Sequence, residues 1–557
     1  MKIGELLIEK GLITAEQLDV AFKEMRKTGE VVGKALVRLN FISNHKLLET
    51  LAEQLGIVFY PSLKNVVIPE EVIKAVPAKF TWHYKIIPIS LEGKNLKIAI
   101  SDPLAIWQME DLKLNLGYNI ERVLATEDEI VGALRRYYGV GSETIEEIMM
   151  QDGGAVNKTS SHAAEEPDIL GRPEEDASVV KLVNQILSEA YTSRATDIHI
   201  EPFRDEVRIR YRIDGILYRM RFPDDIRYLH QAIVSRIKII SNLNVVERRL
   251  PQDGRSIIKI QGTQVDLRIS IIPSVYGENV VIRILPMHLL FSLDDLGFFP
   301  DDKKKVEQMI KDPHGIIFLT GPTGSGKTTT LYSCLTKLNE DAVKIITIED
   351  PIEYELKGIM QIQVRPEIGM TFANALRSIL RHDPDIMMIG EVRDLETAEL
   401  SIRTALTGHL IFSTLHTNDA CSGATRLMDI GIEPYLVASS INVFISQRLV
   451  RVICPNCKTE RTDTRGLPDC FKGAKIYYGR GCDMCKSIGY RGRTAIYEIL
   501  TVDDRIQDLI LNKASASQIK KAASERGFKT LLDAGAERVK LGITTPEEVM
   551  RVAEMEC

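Results

Sequence analysis

The sequence predicts a multidomain α/β protein organised around a phosphate-binding loop. Three observations carry that prediction. Gly315 to Thr320 is a short apolar run, as a buried parallel strand makes, and Leu331, Cys334, Leu335 and Leu338 follow at helical spacing. Between them lies G-x-x-x-x-G-K-T, in the strand–loop–helix setting this loop requires. Further apolar runs end in acids or histidines, which is where open α/β sheets hold ligands. Finally, 557 residues with 44% hydrophobic content are several globular domains rather than one.

The loop chemistry explains its spacing. Glycines let successive backbone N–H groups turn inward into an anion nest, and the helix that follows points its positive end at the phosphates. Gly321, Pro322, Thr323, Gly324, Ser325, Gly326, Lys327, Thr328 and Thr329 are therefore expected to bind a nucleoside triphosphate, ATP. Lys327 adds charge near the β- and γ-phosphates, and Thr328 offers a hydroxyl to Mg²⁺.

Composition narrows the function. A net charge of -6 argues against a nucleic-acid partner. No apolar run is long enough to span a bilayer, and Glu5 and Glu9 in the first ten residues exclude a signal peptide. A cytoplasmic protein with reduced thiols is expected, so its eight cysteines need a non-disulfide account.

In chain order, residues 1–56 hold a repeat: Ile3-Gly4 through Leu12-Ile13-Thr14 recurs as Val32-Gly33 through Phe41-Ile42-Ser43. Each copy leads into a helix, with Thr14 and Ser43 as N-caps and Gln17 closing a capping box. Residues 57–140 read as a small α+β domain, with strands near 86–89, 96–100 and 120–124. Residues 141–175, with Gly153-Gly154 and Thr159-Ser-Ser161, read as a flexible linker. Residues 176–289 read as a second α+β domain. In it Val207, Ile209, Tyr211 and Ile213 share one strand face while Arg208, Arg210 and Arg212 share the other. Arg268 and Arg283 repeat the scheme on later strands. Such a face is either simply solvated or turned toward polyphosphate held by a neighbour.

Residues 290–557 form the expected catalytic domain. One strand ends in Glu349-Asp350, another in Gly390-Glu391, and Leu410-Ile-Phe412 is flanked by His409 and His416. Phosphoryl transfer needs water held in line and charge neutralised, so one acid polarises water, another supports the metal, and a histidine senses the γ-phosphate. Spacing alone does not assign which acid does which. Cys454-Pro-Asn-Cys457 and Cys482-Asp-Met-Cys485 are spaced for a structural tetrahedral Zn²⁺; a redox pair would need only one C-x-x-C. Cys334 and Cys421 read as packing residues and Cys470 as spare. The last residues read as small helices, with Thr545-Pro546 starting one.

Several motifs carry a family resemblance. Asp197-Ile-His-Ile-Glu-Pro202, Arg249-Leu-Pro-Gln-Asp-Gly-Arg255, Ile348-Glu349-Asp-Pro-Ile-Glu353, the run from Arg381 to Asp394 and Thr407-Gly-His409 through Asn418 resemble the secretion ATPases that drive type II secretion and type IV pilus assembly. The resemblance spans nearly the whole chain. It implies a RecA-like P-loop core with an inserted zinc knuckle at 454–485. Ahead of that core it implies a PAS-like α+β domain and N-terminal docking modules. It implies Glu349 as the residue activating water, Glu391 supporting Mg²⁺, and His409 and His416 near the γ-phosphate. It implies that Arg210, Arg255, Arg268 or Arg283 reaches a neighbour's nucleotide in a homo-hexamer. The expected partners are an inner-membrane platform protein and a cytoplasmic docking protein, at the periphery of the inner membrane. Lys327 through Tyr332, Glu353 through Leu356 and Ile362-Gln-Val364 resemble the type II branch more than the pilus branch. The N-terminal repeat resembles a module that binds cyclic di-GMP, with departures at Lys2, Val31, Met25 and Asn40, while Gln54 fits; a plain docking role is the alternative. A nucleic-acid motor and a non-hydrolysing scaffold are the competing functions, disfavoured by the acidic total and by the joint presence of Lys327, Thr328, Glu349 and Glu391.

Overall fold

The computed structural model describes residues 3–28, 30–103, 106–151, 173–286, 292–462, 467–471 and 474–553. The chain divides into two compact units, Met1–Pro286 and Met287–Cys557.

The first unit opens with helices Ile3–Glu9, Ala15–Thr28, Val32–Arg38 and Asn44–Leu55. The repeat in the sequence is a repeat in packing. A Cβ on Gly4 would lie 2.8 Å from a Leu18 methyl, and one on Gly33 would lie 3.1 Å from Leu47, so each glycine admits the next helix closely. Both caps form: Thr14 and Gln17 make the reciprocal box, and Ser43 accepts from Lys46 N. A three-stranded sheet follows, of β1 (Ile87–Glu92), β2 (Asn95–Ile100) and β3 (Asn119–Leu124). β1 runs antiparallel to β2, and β2 parallel to β3.

The expected linker 141–175 differs in its first third. Ser142–Gln151 is a helix that buries Ile145 and Ile148. Ser142 Oγ accepts from Trp82 Nε1 at 2.8 Å, and Glu146 accepts from Lys79 N at 2.9 Å. Gly153-Gly154 and Thr159 to Ser161 lie outside the described residues.

A twenty-residue helix, Pro173–Thr192, leads into β4 (Ala195–Pro202), β5 (Val207–Ile213), β6 (Ile216–Arg219), β7 (Gln252–Ile260), β8 (Thr263–Ser274) and β9 (Gly277–Pro286). Their order is β6-β5-β4-β9-β8-β7, antiparallel throughout. Alternation holds: Ile209, Tyr211 and Ile213 are buried and Arg208, Arg210 and Arg212 are not.

The second unit carries β10 (Gly315–Thr320), β11 (Ile345–Glu349), β12 (Met360–Gln363), β13 (Ile386–Ile389), β14 (Leu410–Leu415), β15 (Ile441–Ile453), β16 (Lys458–Glu460), β17 (Tyr477–Gly479) and β18 (Tyr490–Thr501). The main sheet has the order β12-β11-β13-β14-β10-β15-β18; β18 is antiparallel and the other six strands parallel. Apolar clusters cover both of its faces, one around Phe444, Ile411 and Leu376 and the other around Phe412, Leu335 and Ile317. β16 and β17 form a separate small sheet between β15 and β18. Four short helices close the chain, the last capped by Thr545, whose side chain accepts from Glu548 N. No described helix is long and apolar enough to cross a membrane.

Candidate active site

With both faces covered by helices, the parallel sheet leaves only its strand ends to a ligand. The carboxyl ends of β10, β11, β13 and β14 share one edge. Thr320 pairs with Leu415, and Ile348 with Ile389. That edge therefore carries the phosphate loop, Glu349, Glu391 and His416.

The loop has the geometry the motif requires. Gly324 and Gly326 take φ of +80° and +90°. A Cβ on Gly321 would come within 2.8 Å of Arg448 Nη1 and Gln447 O, so only glycine lets the loop pack on β15. Ser325 Oγ is buried with no partner among the described residues, which fits a site made for an anion's oxygens. Lys327 Nζ donates to Gly321 O at 2.7 Å and Pro322 O at 3.1 Å. Its burial, with Arg448 close by, lowers its pKa to about 8. An anion at this place would relieve both causes. Arg448 braces the loop from behind: its Nη1 donates to Gln447 O at 3.0 Å and its Nη2 to Asn418 O at 2.5 Å. Gln447 Oε1 in turn accepts from Thr330 Oγ1 at 2.8 Å.

The two acids sit in different surroundings. Glu349 is 3% exposed. Its Oε1 accepts from Thr347 Oγ1 at 2.6 Å and Gln361 Nε2 at 3.0 Å, and its Oε2 accepts from the Tyr332 hydroxyl. Glu391 is less deeply buried, with 14% of its side chain exposed. Its Oε2 takes Arg393 Nε at 2.7 Å and faces His416 Nε2 at 3.2 Å. A cavity of about 340 Å³ opens beside it, lined by Asp350, Phe372, Arg393 and Thr397 among others.

In the first unit the register gathers three of the predicted arginines into one row, while Arg210 lies opposite His199 outside it. Arg255 lies opposite Arg268, Arg268 opposite Arg283, Arg283 opposite Asp197, and Asp197 opposite Arg212. Strands are about 4.8 Å apart, so neighbouring cations across the ladder repel unless anions intervene. Asp197 accepts from Arg283 Nε at 3.1 Å, Asp266 from Arg255 Nε at 2.7 Å, and Glu201 takes Arg210 in a two-pronged pair at 2.7 and 2.6 Å. Arg255 and Arg283 still expose more than half of their side chains.

Residues 172–551 match the family described as "Type II/IV secretion system protein", and residues 55–144 match the MshEN domain. The type IV pilus assembly ATPase PilB of Myxococcus xanthus is 43% identical over 559 residues, covering 99% of this chain and 98% of the relative. Type II secretion system protein E of Xanthomonas campestris is 39% identical over 567 residues, covering 99% and 98%. This chain belongs to the type II/IV secretion system protein family. The solved ATPase DotB of Legionella pneumophila covers 66% of this chain and 94% of its own at 21% identity and a TM-score of 0.50. That likeness bears on fold alone, and it agrees with the expected RecA-like core.

One expectation drawn from the family resemblance needs correction. His409 does not lie near the phosphate loop. It precedes β14, where Leu410 pairs with Gly315 at the start of β10, and its Nδ1 faces Thr404 O at 3.0 Å and Thr407 Oγ1 at 3.2 Å. β14 runs six residues, so His409 and His416 stand at opposite ends of it, about 23 Å apart at 3.3 Å per residue.

The cysteine set expected from the spacing is assembled. Cys454, Cys457, Cys482 and Cys485 are all buried, with Sγ–Sγ distances of 3.7 Å (454–482 and 482–485) and 3.8 Å (457–485). Four sulfurs around Zn²⁺ at about 2.3 Å stand about 3.8 Å apart in a tetrahedron, so the donor set fits that ion. Cys482 N and Gly489 N each donate to Cys485 Sγ at 3.2 Å, as backbone does to thiolates. Cys334 and Cys421 are buried in the two apolar clusters, and burial pushes the Cys334 thiol up to about 12.

Sequence reasoning missed four residues of the site: Gln447, Arg448, Tyr332 and Gln361. Gln447 and Arg448 are polar residues buried in the middle of β15, between the apolar runs 443–445 and 449–450, and that interruption was the available signal. For Tyr332 and Gln361 the sequence held no signal, since their partner lies on another element.

Proposed function

We propose that the protein is the ATP-hydrolysing motor of a machine that assembles pilin-like fibres through an inner-membrane platform. The chain is an ATPase of the type II/IV secretion family. The observation that carries the reading is the joint placement of the phosphate loop, Glu349 and Glu391 at one edge of the parallel sheet.

The phosphate loop binds the triphosphate, with Lys327 and Ser325 on phosphate oxygens. Glu349 takes a proton from the attacking water. Thr328 and Glu391 would hold Mg²⁺, which supplies charge neutralisation to the leaving ADP. His416, beside Glu391, reports on the γ-phosphate. Arginines of the row, Arg255, Arg268 and Arg283, with Arg210, contact the nucleotide of an adjacent copy in a homo-hexamer; the half-exposed row supports an anion-facing role. The four cysteines hold a structural Zn²⁺. The domain at 176–289 is PAS-like, and residues 1–140 dock the motor to a cytoplasmic partner at the inner membrane. Cyclic di-GMP is a ligand of that N-terminal part, supported by the MshEN match at 55–144 and the packed helical repeat.

Both branches of the family are close. The notable motifs lean toward type II secretion, whereas the full-length PilB relative, at 43%, favours pilus extension. Deleting the gene decides between them, by loss of exoprotein secretion or loss of surface pili. Turnover per subunit measured against protein concentration tests the motor itself. It should rise with concentration, because sites are completed between copies, and a flat profile contradicts the composite site.

A further inference from the structure

The Glu349 carboxylate is not free to turn. Each carboxylate oxygen has about two lone-pair sites. Oε1 fills both, with Thr347 Oγ1 and Gln361 Nε2. Among the described residues Oε2 receives a single donor, the Tyr332 hydroxyl, which leaves one site open. Tyr332 lies on helix Lys327–Leu338, one turn beyond Lys327 and Thr328, so this bond ties the carboxylate to the element that holds the phosphates. Gln361 lies on β12 and is itself fixed, donating to Tyr354 O at 3.0 Å and to the Tyr332 hydroxyl at 3.5 Å. Glu353 N donates to the same hydroxyl at 3.4 Å.

We infer that Tyr332 and Gln361 are positioning residues for hydrolysis: they hold Glu349 so that Oε2, and not Oε1, receives the proton of the attacking water. This rests on Glu349 as the water-activating residue. The step is balanced. The water O–H bond breaks and its proton goes to Oε2. The water oxygen bonds to the γ-phosphorus, and the bond from that phosphorus to the β–γ bridging oxygen breaks, with the electron pair leaving on ADP. The tyrosine is suited to a fixed donor role. Burial, with Glu349 beside it, raises its phenol well above the ordinary value, so it keeps its proton at every working pH. Its ring is 3% exposed within an apolar cluster and meets the Tyr354 ring edge-on at 6.3 Å. A phenylalanine would keep that packing and remove only the donor.

The test uses the full chain and three variants, with kcat, KM, equilibrium ATP affinity and Tm read for each. Tyr332→Phe should lower kcat about tenfold to a hundredfold, the cost of a misdirected group, with ATP affinity and Tm unchanged. Gln361→Ala should lower kcat less, because Thr347 still holds Oε1. In a Glu349→Asp background, whose shorter side chain cannot reach the hydroxyl, Tyr332→Phe should cost nothing further. A Tyr332→Phe protein that turns over at the native rate, or that loses ATP affinity in parallel with kcat, overturns the inference. Glu349→Gln separates the two layers. If it is inactive while Tyr332→Phe is native-like, only the positioning claim falls. If it is as active as the native chain, the assignment of Glu349 falls with it.

Discussion

The antiparallel sheet of the first unit spreads its charge over a face, whereas the parallel sheet of the second confines its charge to one edge. The cause is what covers each sheet. β5, β8 and β9 bury Tyr211, Ile269 and Ile282 and leave Arg212, Arg268 and Arg283 at least partly exposed, so these arginines, exposed Arg255 and the buried Asp197 line up across five strands. Residues of β10, β11, β13 and β14 are buried on both sides. No charge fits within those strands except at their ends. A face can grip an extended anion over several strands, and an edge can converge different groups on one phosphorus. The difference teaches that a charged residue's role follows from which surface its sheet leaves open.

Four experiments sharpen or break that comparison, in falling order of expected effect. The largest concerns the insertion between β15 and β18; β15 braces the edge through Gln447 and Arg448. Cys454→Ser, or stripping metal with a chelator, should lower Tm by several degrees and remove about one Zn²⁺ per chain by metal analysis, with turnover falling in step. Native protein that carries no zinc contradicts this. Next, Arg268→Ala should reduce turnover about tenfold or more while ATP affinity stays within about twofold, since a face residue acts in the transition state rather than in basal binding. Affinity and turnover falling together would mean that the row serves only to fold its own unit.

Third, the two ends of β14 provide an internal control. His416→Ala should cost about tenfold in kcat and His409→Ala less than about twofold. Equal losses would break the edge rule. The smallest effect concerns Glu498 on β18, whose carboxylate accepts from Ala420 N at 3.0 Å and Leu531 N at 3.2 Å. Burial raises its pKa from 4.5 to about 7. The folded state thus favours the protonated form. That contribution to stability is complete below pH 4.5 and is lost as pH rises through about 7. The difference in Tm between pH 5 and pH 8 should shrink in Glu498→Gln, and an unchanged difference would assign the shift elsewhere.

Much of the site was legible because its signals are local. The phosphate loop, the acids after β11 and β13 and the paired cysteines each fit within a few residues, and the structure brings each set together. The alternation in Val207–Ile213 gave the arginine face, and the register then aligned it with strands far along the chain. What the sequence withheld was non-local. Glu349 meets Tyr332 and Gln361 only through tertiary packing. His409 was placed near the γ-phosphate by the family resemblance, although the two histidines flank the apolar run that begins at Leu410. The strand is six residues long and separates them. The start of the expected linker went wrong for a related reason. Ile145 and Ile148 are spaced for a helix, but only the docked Trp82 and Lys79 show that it packs.

The central claim is that ATP is hydrolysed at this edge with Glu349 as the acceptor of the water's proton. The most direct measurement is ATP binding and ATP turnover for Glu349→Gln beside the native chain at the same protein concentration. The account predicts native-like ATP affinity with turnover reduced by about a thousandfold. A Glu349→Gln protein that hydrolyses ATP at the native rate would contradict it.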